Sequence, residues 1–277
     1  MDLYTKNALE CSKTTTNSYT TSFSMGIRSM CKKYRPGIYA IYGFVRFADE
    51  IVDTFHDKDK ASFLSLYKQK AFEAIECRFS TNPLIHSFQW VVNKYSIEKE
   101  LVSAFFKTME MDLYKTSYNR SQYQEYIHGS AEVIGLMCLK VFCNGDVKKY
   151  NRLEYYARKL GEALQKVNFL RDIGSDYYER KRVYFPGVDF NAFDNESKSQ
   201  IENEILQDFE QALYGISKLN RCARLGVYLA YCYYLSLFKK IKKTSADQLT
   251  KKRLRVGNLL KLYLFFKCYI RNKLNYI

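Results

Sequence analysis

Apolar residues recur along this chain at intervals of three and four, and no alternation is long enough to argue for a sheet. The period predicts helices from end to end. Two short ones are expected near residues 3–13 and 18–31, ended by the Arg35–Pro36–Gly37 turn. A strongly apolar helix follows at Ile38–Thr54, then an amphipathic, peripheral one at Lys58–Phe79. Pro83 is placed to open another, since proline suits a first helical turn, and it should run to about Tyr95. Glu98–Leu113 and the very apolar Ser121–Cys143 come next, and Asn144–Gly145–Asp146 breaks the latter. A long helix is expected from about Lys148 to Arg180, then an extended loop at Arg182–Val188. Ser197–Lys240 reads as two helices meeting near Asn220. A last pair covers about Ala246–Leu254 and Asn258–Asn275. No internal repeat appears. The pattern predicts an all-α array of ten or so helices with short connections.

Two stretches break the rule that polar stripes face water. On the long helix, Gln165, Asn168, Asp172 and Asp176 are spaced by three, four and four. At roughly 100° per residue they share an arc of about 80°. Leu160, Ala163, Leu164, Val167, Leu170 and Ile173 hold much of the remainder. Upstream, Tyr42, Arg46, Asp49 and Asp53 form a similar face on a helix that also carries Glu50 and whose apolar neighbours include Phe44, Val45, Ile51 and Val52. Carboxylates on helices this apolar are costly to bury without a counter-charge. Arg46 offers one and a hard cation another. Oxygen donors with neither His nor Cys favour Mg²⁺, with Mn²⁺ as a substitute, over zinc or iron. Mg²⁺ usually joins one or two carboxylates to substrate phosphates. The constellation therefore predicts a phosphorylated substrate between two helices, with Arg46, Arg171, Arg180, Lys181 and Arg182 taking the remaining phosphate charge. Glycosidase chemistry also uses paired carboxylates, but it wants an open polar cleft. The plain alternative is that each Asp pair is a solvated surface feature.

Composition sharpens this picture. The 277 residues are near the upper limit for one core, so one domain over 1–277 is expected. Only 3 Pro and 12 Gly occur, which disfavours an all-β fold. The 25 Tyr and 19 Phe suit thick helix packing or a deep apolar cavity. Of the net charge of +15, residues 239–277 carry +11, from 12 Lys/Arg against Asp247. Such a segment reads as binding nucleic acid, anionic lipid or phosphate, or simply as a solvated surface. Nucleic acid is the weakest of these, because no recognisable binding module accompanies the charge. Leu259–Lys273 mixes Leu, Phe and Tyr with Lys and Arg, as a helix on a membrane surface would. Eight scattered Cys show no C-x-x-C, so neither zinc nor a disulfide framework is expected, and unpaired thiols imply a reducing cytosol. The N-terminus lacks an apolar run, so no signal peptide is expected. No uncharged run reaches the ~18–20 residues of a membrane span. Tyr126, Tyr234, His128 and Trp90 read most simply as packing, and Ser22 as a helix-start residue.

Leu164–Pro186, LQKVNFLRDIGSDYYERKRVYFP, resembles the second aspartate motif of the squalene/phytoene synthase family and the R-V-Y-x-P that follows it. Tyr34–Asp53, YRPGIYAIYGFVRFADEIVD, is similar to its first motif. Ser22–Phe23, Glu110–Leu113 (EMDL), Tyr126–Met137 (YIHGSAEVIGLM) and Arg253–Leu262 (RLRVGNLLKL) match shorter segments. The likeness covers nearly the whole chain. It implies an all-α isoprenoid-synthase bundle with a central cavity and head-to-head joining of two isoprenoid diphosphates. Asp49, Asp53, Asp172, Asp176 and Asn168 would then hold Mg²⁺, with Gln165 assisting. Arg46, Arg171 and Arg253 would stabilise departing diphosphate. Phe23, Arg182 and Tyr184 would join them around the substrate, and Ser22, Tyr42, Tyr126 and Tyr234 would lie near the reacting carbons. The EMDL segment and the lack of a C-terminal anchor favour the branch that condenses two geranylgeranyl diphosphates. A C30 enzyme using farnesyl diphosphate is the runner-up, and a non-catalytic relative is a further class. NADPH is not expected, nor a nucleic-acid partner; a cytoplasmic monomer with peripheral contact to anionic membrane is. Two positions depart from the pattern. Tyr19 stands where relatives often carry His, and Glu132 where the first Gly of a family segment falls, so its carboxylate must crowd the cavity or turn outward.

Overall fold

A computed structural model of the chain describes residues 1–188 and 193–277. Helices follow one another, most of them with short connections, and no strand occurs among the described residues. Helix α1 (Leu3–Tyr19) and α2 (Thr21–Arg28) meet at Thr20, whose extended backbone ends the first helix while its hydroxyl caps the second. The first break therefore falls at Thr20, later than the periodicity suggested. Helix α3 (Arg35–Asp53) starts three residues before Ile38, because Pro36 fits its first turn, where a missing N–H leaves nothing unpaired. Then come α4 (Lys60–Cys77), α5 (Pro83–Tyr95), capped by Asn82, and α6 (Lys99–Tyr114).

The apolar stretch expected at Ser121–Cys143 is two helices joined by a π-turn. Helix α7 (Arg120–Ile127) opens on a reciprocal Asn119–Gln122 capping box, the wide turn spans His128–Glu132, and α8 (Val133–Cys143) follows. At Gly129 the π-turn lies hard against α6. A Cβ there would stand 1.8 Å from Thr108 Oγ1 and 2.4 Å from the Ala104 carbonyl. Arg120–Cys143 is long and apolar enough to cross a membrane, but 61% of its apolar window is buried within the fold, as befits a core helix.

Helix α9 (Val147–Tyr178) is the 32-residue axis of the molecule. Its first turns, with Tyr150 and Leu153, belong to a core built from α1, α3–α6 and α8. Its later turns, from Ala163 to Ile173, belong to a second core with α7 and α10–α13. These last are α10 (Asn195–Lys218), α11 (Arg221–Lys242), α12 (Ala246–Lys251) and α13 (Asn258–Leu274). Helix α12 stops short of the expected Leu254. An isolated bridge pairs Ser117 with Val183, and the Val183 N–H donates to the Thr116 carbonyl at 2.8 Å, which pins the loop after α9 beside the end of α6.

One sequence expectation fails. Cys31, just after α2, is disulfide-bonded to Cys222 in the first turn of α11, 191 residues away. Spacing along the chain carries no sign of a pair that only the fold brings together. With that pair bonded, the cysteines no longer argue for a reducing compartment.

Candidate active site

The two cores enclose a cavity of about 290 Å³, walled by α2, α3, the π-turn with α8, α9, α10 and α11. Its wall is almost wholly apolar. Its lining includes the small residues Gly135, Ala157, Gly161 and Ala230, and Gly135 and Gly161 let α8 and the π-turn pass close to α9: a Cβ on either would stand 2.8 or 2.7 Å from the backbone carbonyl opposite. On α9 the lining runs from Leu153 to Asn168, about 22 Å at the helical rise. Polar groups gather at one end, where Tyr42, Gln165, Asn168 and Tyr234 converge; the Tyr234 hydroxyl donates to Asn168 Oδ1 at 3.2 Å. Phe23 packs on the Tyr42 ring with centroids 5.3 Å apart.

One helical turn beyond this end stand the aspartates, and the fold joins the two stripes through arginines. Arg180, just past α9, donates to Asp176 Oδ1 at 2.7 Å and lies 3.7 Å from Asp53 Oδ2 on α3. Arg182 lies 3.5 Å from Asp53 and 3.5 Å from Asp112, and it donates to the Asp112 backbone carbonyl at 2.6 Å. Arg171 grips Asp172 with two hydrogen bonds, at 2.9 and 2.5 Å. Arg253 reaches the same carboxylate from the chain after α12, at 2.8 Å. Asp49 alone of the four has no ion pair among the described residues. Burial pushes its carboxyl up to about 7; Arg46 opposes the shift, and Asp53, Asp112 and Glu50 add to it. Burial likewise lifts Asp176 to about 6, against the pull of Arg180.

Asp112 on α6 was missed by reading stripes, because it is a single carboxylate with no partner at helical spacing. The EMDL likeness was its only signal. The fold sets it under the α3 carboxylates, where burial raises it to about 6 despite Arg182. The Tyr126 hydroxyl donates to it at 2.7 Å, and those of Tyr118 and Tyr184 at 3.3 and 3.4 Å. Tyr126 and Tyr184 thus lie behind the acidic cluster, stacked among Tyr118 and Phe169, and not on the cavity wall. Ser22 is half-buried in the first turn of α2, off the cavity wall, with Thr20 as the actual cap.

Both departures from the family pattern find a place. The Tyr19 ring lies under the Arg46 guanidinium, 4.5 Å from its centroid. Arg46 also pairs with Glu50, yet its Nε is buried without a partner. Glu132 turns away from the cavity, and its carboxylate accepts from Arg158 at 3.0 Å and sits 2.8 Å from His128 Nδ1.

Among the described residues, no three carboxylate, imidazole or thiolate groups close on one point. The donor set still fits a hard cation. It is all oxygen, it straddles two helices, and Asp49 is a half-buried carboxylate with no ion pair among the described residues. Asp49, Asp53, Asn168, Asp172 and Asp176 are the residues that would hold such an ion.

Residues 16–259 match the profile of the squalene/phytoene synthase family. Among curated relatives, the chain is 26% identical over 272 residues to phytoene synthase 1, chloroplastic, of Zea mays, covering 88% of this chain and 63% of that protein. The chain thus spans less than two thirds of the maize protein's length. It is 23% identical to 4,4'-diapophytoene synthase of Staphylococcus haemolyticus, covering 86% of this chain and 88% of that one. A crystal structure of a dehydrosqualene synthase with ligand superposes with a TM-score of 0.81 at 19% identity, over 97% of this chain and 98% of that one. A squalene synthase from Alicyclobacillus acidocaldarius does so at 0.76 with 18% identity, over 88% and 96%. With that profile matched across most of its length, the chain belongs to the squalene/phytoene synthase family.

Proposed function

We propose that this chain is a phytoene synthase, condensing two geranylgeranyl diphosphates head to head. The observation that carries the proposal is the arginine-linked pair of aspartate stripes at the polar end of an apolar cavity. Diphosphate groups bind at the stripes and the tails lie in the cavity. Bound Mg²⁺ neutralises phosphate charge and makes diphosphate a better leaving group. Arg46 offers its unpartnered Nε to an anion, and Arg171, Arg180 and Arg253 shift from carboxylate toward phosphate as negative charge builds there.

The first carbon–oxygen bond to diphosphate breaks and leaves an allylic cation. The double bond of the second substrate supplies the electrons of the new carbon–carbon bond, and loss of a proton closes a cyclopropane. A second diphosphate then departs, and rearrangement with loss of another proton gives the hydrocarbon. Phe23, Tyr42 and Tyr234 present ring faces to the cationic carbons. The apolar wall keeps water from them. No step consumes a reductant, so NADPH has no part in this product.

The depth of the cavity along α9 supports the C20 substrate, as do the plant phytoene synthases among the relatives. The staphylococcal relative and the dehydrosqualene synthase structure favour a second reading, a C30 enzyme using farnesyl diphosphate. Incubation with the C15 and C20 diphosphates and Mg²⁺, with and without NADPH, decides between them by product mass. Phytoene from the C20 substrate, indifferent to NADPH, is expected. A C30 product alone would replace the first reading with the second.

A further inference from the structure

Helix α13 is held to the fold by one face. Leu264 and Cys268 are buried, and the Tyr233 hydroxyl of α11 donates to the Lys261 carbonyl at 3.1 Å. On the opposite face Leu259, Leu262, Tyr263, Phe266, Ile270 and Leu274 recur at intervals of three, one, three, four and four, and each is more than half exposed. At roughly 100° per residue they share an arc of about 120°. Exposed Lys267 and Arg271 border this stripe on one side, and Lys273 stands at its end. No acidic residue follows Asp247.

Neither plain reading accounts for this face. A solvated helix would turn its charges outward and its rings inward, and a core helix would cover the rings. A helix lying in a membrane interface shows this arrangement, with apolar side chains at the acyl boundary and cations along the edge. Charge selects the occupant. A second copy of the chain would bring its own +11 from residues 239–277 against the first, whereas an anionic lipid surface complements it. Position agrees as well. Arg253 is held on Asp172, Leu254 is buried, and Leu259 follows six residues after Arg253, so the helix starts at the rim of the site.

We propose that α13 lies flat on a bilayer containing anionic lipid, its stripe sunk in the interface and its basic edge on lipid phosphates. The site rim then sits where an isoprenoid diphosphate arrives and a hydrocarbon leaves. That purpose rests on the function proposed above, but the binding does not.

The test is co-sedimentation of the full chain with vesicles of phosphatidylcholine alone or mixed with phosphatidylglycerol, at low and high salt. Binding to the mixed vesicles is expected, weakened by salt. Lys267→Gln/Arg271→Gln/Lys273→Gln should weaken it about tenfold or more. Phe266→Asp/Ile270→Asp should abolish it while leaving circular dichroism and diphosphate release from detergent-dispersed substrate unchanged. Equal sedimentation of wild type and the Asp variant, or none of either with the mixed vesicles, would overturn the proposal. So would a wild-type dimer in light scattering that the Asp variant converts to monomer, since the stripe would then be a self-interface. Vesicle binding without diphosphate release would count against the enzymatic reading alone.

Discussion

Asp49 works against the fold that carries it. Its carboxyl, raised by burial to about 7, binds its proton more tightly in the folded protein than in the unfolded chain. The metal-free fold therefore loses stability as pH rises from about 4 to about 7, and Asp112 and Asp176, each raised to about 6, add to the loss in the same direction. Asp49→Asn removes its share. In chelator-treated protein its melting temperature should exceed that of wild type by about 2–6 °C at pH 8, with the gap closing toward pH 4. Thermal scans across that range check it, and a gap that widens on acidification would contradict it. Tyr126→Phe acts oppositely, since it takes a 2.7 Å hydrogen bond from buried Asp112. Denaturant unfolding should show a loss of about 1–3 kcal/mol. The stripes were legible residue by residue, because helical spacing alone puts Asp49 beside Asp53 and Asp172 beside Asp176. Asp112 and the bonding of Cys31 to Cys222 were not. Each depends on a contact between elements far apart in sequence, which no local period records.

Among the elements, α9 carries most of the account. One face of it holds the aspartates, its middle lines the cavity, and its two ends join separate cores. Its course was readable, since apolar periodicity over so many turns admits few alternatives. The π-turn at His128–Glu132 was not, because a single widened turn leaves the apolar pattern of its flanks intact. That turn also settles Glu132, whose carboxylate faces Arg158 instead of the cavity. Close helix crossings are a second feature that only the fold reveals. A Cβ on Gly226 of α11 would stand 2.4 Å from the Gly26 carbonyl of α2 and 2.5 Å from Met30 Cγ. Gly226→Ala must push α2 away from α11 and open the cavity wall. A stability loss of about 1–3 kcal/mol by denaturant titration is expected. An unchanged midpoint would mean that the crossing yields without cost.

For the whole molecule, apolar periodicity foretold the all-α fold, and the aromatic content suited thick helix packing or an apolar cavity; the structure has the helices and an apolar cavity between them. The basic C-terminal segment was legible only as charge. The fold divides it into Arg253, which reaches Asp172, and α13, whose rings face outward. Cavity and acidic cluster make sense together, since greasy walls and buried carboxylates would each be a liability alone. Under the proposed function, a tail in one and a diphosphate at the other would reconcile them. The most direct test measures diphosphate release from geranylgeranyl diphosphate with Mg²⁺ for wild type, Asp49→Asn and Asp172→Asn. Release by wild type, lost on chelation and lowered about a hundredfold or more in each variant, is the predicted result; undiminished release in both variants would contradict the account.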